Sequence, residues 1–170
     1  GSDVEKLKEI IDLNKNNFKC FIANDNSIGQ IVVSGNLRDL NKFSDVLKHQ
    51  KIKNIILPVS APFHCELMKS ATEIMRKEIE KTEFHKPQIE IMSNVTAQKT
   101  NDPNDIKKLL IEQIEKPVRW REIVINMINC KVDKFIEIGP GKVLSGLVKR
   151  IDRGVKLIQI NESEDLKNLI

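Results

Sequence analysis

The sequence predicts an α/β fold, and three observations carry that prediction. Short apolar runs rich in β-branched residues, such as Gln30-Ile31-Val32-Val33-Ser34 and Lys134-Phe135-Ile136-Glu137-Ile138, read as strands. Between them lie stretches with apolar residues at helical spacing. From residue 54 onward the two kinds alternate, which is the pattern of a largely parallel sheet with helical crossovers.

The first helix runs to Leu13 behind a Ser2 or Asp3 cap, with Val4, Leu7, Ile10 and Ile11 on one face. Lys19 to Ala23 is a strand, Asn24 to Gly29 a turn, and Gln30 to Ser34 the returning strand of a hairpin. Asn36 caps a helix from Leu37 to about His49 that turns Leu40, Phe43, Val46 and Leu47 inward. Asn54-Ile55-Ile56-Leu57 then reads as a strand. The order helix, strand, strand, helix, strand is that of a ferredoxin-like lobe whose opening strand is missing. Residues 1–59 are assigned to that lobe and residues 60–170 to a second body.

In the body, a helix from His64 to about Lys81 precedes a strand at Ile89 to Ser93. A polar connection at Asn101-Asp102-Pro103-Asn104 starts a helix ending near Glu115, and Pro117-Val118-Arg119-Trp120 opens another that runs to about Asn129. The strand Lys134 to Ile138 meets Gly139-Pro140-Gly141-Lys142 and a helix from Val143 to Ile151. Val155 to Ile160 is the last strand, and a short helix from Ser163 follows.

Composition narrows the classes of function. Hydrophobic residues at 40% and charged residues at 31% fit a soluble globular protein, and no apolar run nears the roughly 18 residues of a membrane span. The charged opening Asp3 to Glu9 has no signal-peptide core, so a cytoplasmic home is expected. Cys20, Cys65 and Cys130 share no spacing that suggests a disulfide framework or a zinc site and read as free thiols. A net charge of +4 interleaved with acidic residues, and 4% aromatics without Tyr, argue against nucleic acid. The same mild basicity favours an acidic protein partner.

One stretch organises the rest: Leu57-Pro58-Val59-Ser60-Ala61-Pro62-Phe63-His64-Cys65-Glu66-Leu67-Met68. Each proline fixes its own φ and biases the residue before it to extended geometry, so the loop is stiff and delivers the His64 imidazole to a set place. A general base is mounted in this way, although a histidine beside a proline turn is more often structural. His49 and His85 sit in polar helix ends without such scaffolding and read as surface residues.

Four stretches together carry a resemblance. Asn26-Ser27-Ile28-Gly29-Gln30-Ile31-Val32-Val33-Ser34-Gly35, Val59 to Met68, Pro117-Val118-Arg119-Trp120, and Glu137-Ile138-Gly139-Pro140-Gly141-Lys142-Val143-Leu144-Ser145-Gly146-Leu147 resemble the C-terminal half of the malonyl-CoA:acyl-carrier-protein transacylases. The resemblance implies a hydrolase-like α/β body with an inserted ferredoxin-like lobe and an active site in the cleft between them. It also implies a Ser nucleophile in a Gly-His-Ser-x-Gly elbow, an oxyanion-loop glutamine and a carboxylate-clamping arginine, all upstream of the lobe. No Gly-x-Ser-x-Gly occurs here, so the chain is expected to be the C-terminal portion alone.

The resemblance assigns roles residue by residue. His64 would be the base that deprotonates first the Ser and then the phosphopantetheine thiol of acyl carrier protein, in a ping-pong exchange through a malonyl ester. The backbone carbonyl of Gln113 would fix its other ring nitrogen. Asn24 and Asn26 would face the cleft from a turn, where each amide could meet substrate or the His64 loop, although asparagines commonly just make turns. The family often has Pro where Ile28 stands. Phe63 beside the base would crowd an α-methyl group and favour malonyl units.

Cys65 at a helix start would point away from the working face of the imidazole. Gly139 to Lys142 lacks the spacing of a phosphate loop and reads as a strand-to-helix turn. Lys142, Lys149 and Arg150, near a strand's C-terminal edge, are candidates to guide the acidic carrier. No cofactor is implied. The expected partners are malonyl-CoA, acyl carrier protein and the protein's own N-terminal half. The rival readings are a non-catalytic module that docks the carrier or pairs with that half, and a nucleic-acid-binding domain.

Overall fold

A computed structural model describes residues 4–169. The expected Ser2 or Asp3 cap lies outside the described residues. Helix α1 (Val4–Leu13) and helix α2 (Leu37–His49) flank a hairpin of β1 (Cys20–Ser27) and β2 (Gln30–Gly35). Leu7, Ile10, Phe18, Cys20, Phe43 and Leu47 make its buried core, with the Phe18 and Phe43 rings 5.4 Å apart and tilted by 60°. Asn36 caps α2 as its residue type suggests, its side chain accepting from the Asp39 amide.

Two details of this part differ from the expectation. The turn is only Ile28-Gly29, because Gly29 takes φ 73°, and the antiparallel ladder continues to Ser27↔Gln30. Asn24 and Asn26 therefore lie in β1 and not in a turn; the register shifts on either side leave Ala23 and Asn26 as bulged residues. Residues 54–57 form no strand. A strand needs a neighbour for its backbone groups, and none pairs with this segment among the described residues. Asn54 turns inward to accept from Ser44 Oγ at 2.7 Å, but the apolar side chains face outward, with Ile55 81% and Ile56 51% exposed.

After the His64 loop comes a 3₁₀ turn (Glu66–Met68) and helix α3 (Lys69–Lys81). The strand expected at 89–93 shortens to β3 (Ile91–Met92), which pairs antiparallel with β4 (Lys99–Thr100), a strand the sequence reading did not include. The cause is local: Ser93 and Gln98 bond across a tight turn in which Ala97, fully buried, takes φ 54°. Asp102 caps α4 (Pro103–Glu112) through the amides of Asn104 and Asp105, with Pro103 in the first turn.

Helix α5 (Trp120–Asn129), strand β5 (Lys134–Ile138), helix α6 (Val143–Ile151) and strand β6 (Lys156–Ile160) follow, before a 3₁₀ segment (Ser163–Leu169). Strands β5 and β6 are parallel and joined through α6, the expected crossover unit. Ile123, Val124, Leu147, Val148, Ile158 and Ile160 are buried here. The other edge of β5 has no partner among the described residues, and Ile136 and Ile138 are 44% and 78% exposed. Among the described residues no helix is long and apolar enough to cross a membrane.

Candidate active site

The His64 loop is pinned on both sides of the histidine. Ser34 Oγ, at the end of β2, donates to the Phe63 carbonyl at 2.6 Å, and Cys65 Sγ donates to the Pro62 carbonyl at 3.1 Å. Lys19 pairs with Glu66 just beyond. His64 itself takes φ 59°, a left-handed backbone that histidine tolerates better than most non-glycine residues. The consequence is a sharp turn between the extended Pro62 segment and the helix, with the imidazole projecting from it.

The half-buried ring of His64 reaches α4. Nδ1 lies 2.9 Å from the Gln113 carbonyl oxygen, and because a carbonyl only accepts, Nδ1 carries the proton and donates. In the neutral ring this leaves the lone pair on Nε2, which has no hydrogen-bond partner among the described residues. The sequence explains why this carbonyl is available. A helical carbonyl at position 113 would accept from the amide at 117, but Pro117 has none.

The Gln113 side chain is held as well: Asn94 Nδ2 donates to its Oε1 at 3.1 Å. Sequence reasoning did not single out Asn94, which lies in the turn between β3 and β4. Arg119 is a second residue it passed over. Its guanidinium donates to the carbonyls of Val95 and Thr96, both at 3.1 Å, and pairs with Glu122 at 2.5 and 2.8 Å. A proline four residues after Gln113 and an arginine just beyond it were the available signals.

The remaining candidates are placed less closely. The Asn24 backbone runs beside Val118, whose amide donates to Ala23 O at 2.8 Å and whose carbonyl accepts from Asp25 N at 2.9 Å. Strand β1 is thereby tied to the segment that follows Gln113. The half-buried side chains of Asn24 and Asn26 make no hydrogen bond among the described residues, to His64 or to any other group. Phe63 is 48% exposed beside the imidazole. His49 and His85 are surface residues.

Cys65 is 2% exposed, its Sγ is held on Pro62, and burial raises its pKa, which disfavours the thiolate a nucleophile needs. The amides of Leu144 and Ser145 at the start of α6 are taken by the Glu137 carboxylate at 3.0 and 2.7 Å, so the glycine-rich turn offers no phosphate cradle. Desolvation raises the Glu137 pKa, but the hydrogen bonds from Ser145 and Leu144 outweigh it and hold the carboxyl below its usual value. Lys142 and Lys149 are exposed, whereas the Arg150 guanidinium donates to Gln30 Oε1 on β2.

No family model matches the chain. It is 40% identical over 169 residues to the malonyl CoA-acyl carrier protein transacylase of Bacillus subtilis (strain 168), covering 98% of this chain and 53% of that protein. It superposes on a malonyl CoA-acyl carrier protein transacylase from Clostridium perfringens Atcc 13124 with a TM-score of 0.93 at 38% identity, over 99% of this chain and 54% of the other. A malonyl-transacylase solved in complex with its type II PKS acyl-carrier protein gives a TM-score of 0.92 at 32% identity, over 99% and 55%. The chain spans about half the length of the relatives it matches.

Proposed function

We propose that this chain, which matches the C-terminal portion of the malonyl CoA-acyl carrier protein transacylases over nearly its whole length, supplies the general base for malonyl transfer in fatty acid synthesis. The observation that carries the reading is the His64 Nδ1–H donated to the Gln113 carbonyl, which leaves Nε2 unpartnered. In this reading Nε2 takes the proton of a Ser supplied by the N-terminal portion as its oxygen attacks the thioester carbonyl of malonyl-CoA. His64 returns that proton to the departing CoA thiolate. It next deprotonates the phosphopantetheine thiol of acyl carrier protein, whose sulfur attacks the malonyl ester, and passes that proton to the departing Ser oxygen. No cofactor enters these steps.

Phe63, 48% exposed beside the imidazole, is read as limiting the size of the α-substituent, and Asn24 and Asn26, whose amides make no hydrogen bond among the described residues, are read as facing the cleft. The carrier, an acidic protein, is read as approaching near Lys142 and Lys149 in the cytoplasm, where charge acts mainly on encounter rate. Arg150 is the weaker candidate because it is already engaged with Gln30. The free edge of β5 and the outward-facing Ile55, Ile56 and Ile138 support pairing with an N-terminal portion.

The test uses the complete protein, with this chain joined to the N-terminal portion its relatives carry. His64→Ala should lower malonyl transfer by about 10²–10⁴-fold while the protein stays folded. Unchanged turnover would return His64 to a structural role. The 170-residue chain by itself, incubated with radiolabelled malonyl-CoA, should remain unlabelled.

A further inference from the structure

A base held by one backbone carbonyl is only as well placed as that carbonyl, and the Gln113 carbonyl sits where α4 has ended. Past Glu112 the chain is a turn, and Pro117 removes the amide that would have continued the helix. On the helix side this peptide is held only by the long Ile114 N–H bond to the Ile111 carbonyl at 3.4 Å. From outside the helix the side chain of Asn94 holds the same residue, through the 3.1 Å bond to Gln113 Oε1.

Asn94 is itself held from three directions. Its carbonyl accepts from the Arg119 amide at 3.2 Å. The next two carbonyls, of Val95 and Thr96, both receive the Arg119 guanidinium, and the Ala97 carbonyl accepts from Asn126 Nδ2 at 2.8 Å. The buried Ala97, at φ 54°, closes the turn, so four consecutive carbonyls are tied to α5 and its first residues. A short polar side chain on so rigid a turn has little rotamer freedom left to lose, which makes it a firm anchor for the Gln113 side chain.

We propose that Asn94 is a positioning residue for the base: through Gln113 Oε1 it fixes the peptide whose carbonyl receives His64 Nδ1–H, and so holds the imidazole with Nε2 toward the reacting oxygen and sulfur. This rests on the reading of His64 as the general base. The role differs from that of a packing residue. Removing the Asn94 amide leaves His64 and the carbonyl in the protein but lets the carbonyl move, and a displacement of about 1 Å can cost up to 10²-fold in rate.

The experiment compares Asn94→Ala, Gln113→Leu, the double variant and His64→Ala in the complete protein. The kcat and KM for transfer from malonyl-CoA are measured alongside thermal unfolding. Gln113→Leu removes the Oε1 acceptor but keeps the backbone carbonyl, so it carries the test if Asn94→Ala does not fold. Each of the first two should lower kcat about tenfold with KM for malonyl-CoA within about twofold. The double variant should be no worse than the weaker single one, because both changes break one contact.

Wild-type kcat in either folded single variant, with His64→Ala inactive, would overturn the Asn94 assignment alone. So would activity losses that follow the loss of folded protein or that fall on KM and not on kcat. Full activity of His64→Ala would overturn the base and the positioning role together.

Discussion

Asp25 and Arg121, 96 positions apart in the chain, meet through a two-pronged contact: Arg121 Nε lies 2.9 and 3.1 Å from the two carboxylate oxygens and Nη2 lies 2.7 Å from one of them. The side chains are only 17% and 32% exposed. The pair ties strand β1 to the first turn of α5, beside the backbone bridge between Asn24 and Val118. It holds the hairpin against the elements that carry Gln113. Arg121→Leu should destabilise the chain by about 1–2 kcal/mol, less than a fully buried pair would lose. Urea denaturation measures it, and an Asp25→Asn/Arg121→Leu double-mutant cycle should show the two changes to be non-additive.

The cysteines differ in reactivity by burial. Cys20 is 4% exposed, and burial, with smaller contributions from Asp39 and Cys65, pushes its pKa from 9.0 up to about 12. The folded thiol stays neutral where the unfolded one ionises. Its contribution to stability is therefore complete below pH 9 and is lost as the pH rises from 9 towards 12. Unfolding free energy should fall over that window more steeply than in Cys20→Ala. Alkylation at pH 8 should modify the exposed Cys130 first and leave Cys20 and Cys65 largely unreacted while the protein is folded.

Glu137 should matter to the start of α6. Its carboxylate satisfies two amides there, so Glu137→Gln is expected to cost about 1 kcal/mol in denaturation experiments. Because the folded carboxyl has the lower pKa, the contribution is present above its ordinary value of 4.5 and disappears as the pH falls below it. The variant and the parent should converge in stability under those acidic conditions.

At Phe63 the expected effect is on choice of acyl group. The ring is 48% exposed next to His64, and its backbone carbonyl is already fixed by Ser34, so shortening the side chain should leave the loop in place. In the complete protein Phe63→Ser should raise the kcat/KM ratio of methylmalonyl-CoA to malonyl-CoA by about 10–100-fold. An unchanged ratio would place the discriminating surface elsewhere.

How much of this could be read from the sequence depended on where each signal came from. Helix periodicity and caps were local, and Asn36, Asp102 and Pro103 mark their helices as expected. The parallel β5–α6–β6 unit followed from alternation. The strand at 54–57 failed because its apolar residues do not by themselves provide a partner, and the ladder that would define it is absent among the described residues. The hairpin turn was drawn too long because two asparagines and an aspartate were weighed above the single glycine that makes a two-residue turn possible.

At the site, His64 stood out through its flanking prolines, and Gln113 came only from the resemblance, although Pro117 marks its carbonyl as orphaned. Asn94 could not be found by spacing. Its contact spans 19 positions and depends on a turn that the sequence did not reveal.

The left-handed backbone at His64 sets stability and activity against each other at one residue. A non-glycine side chain held at φ 59° costs on the order of 1 kcal/mol, and glycine would remove that cost along with the imidazole. Selection for a sturdier fold alone would thus drift towards glycine at this position, and a histidine persists there only while something other than folding favours it. The strain is a record of that pressure, written in the main chain.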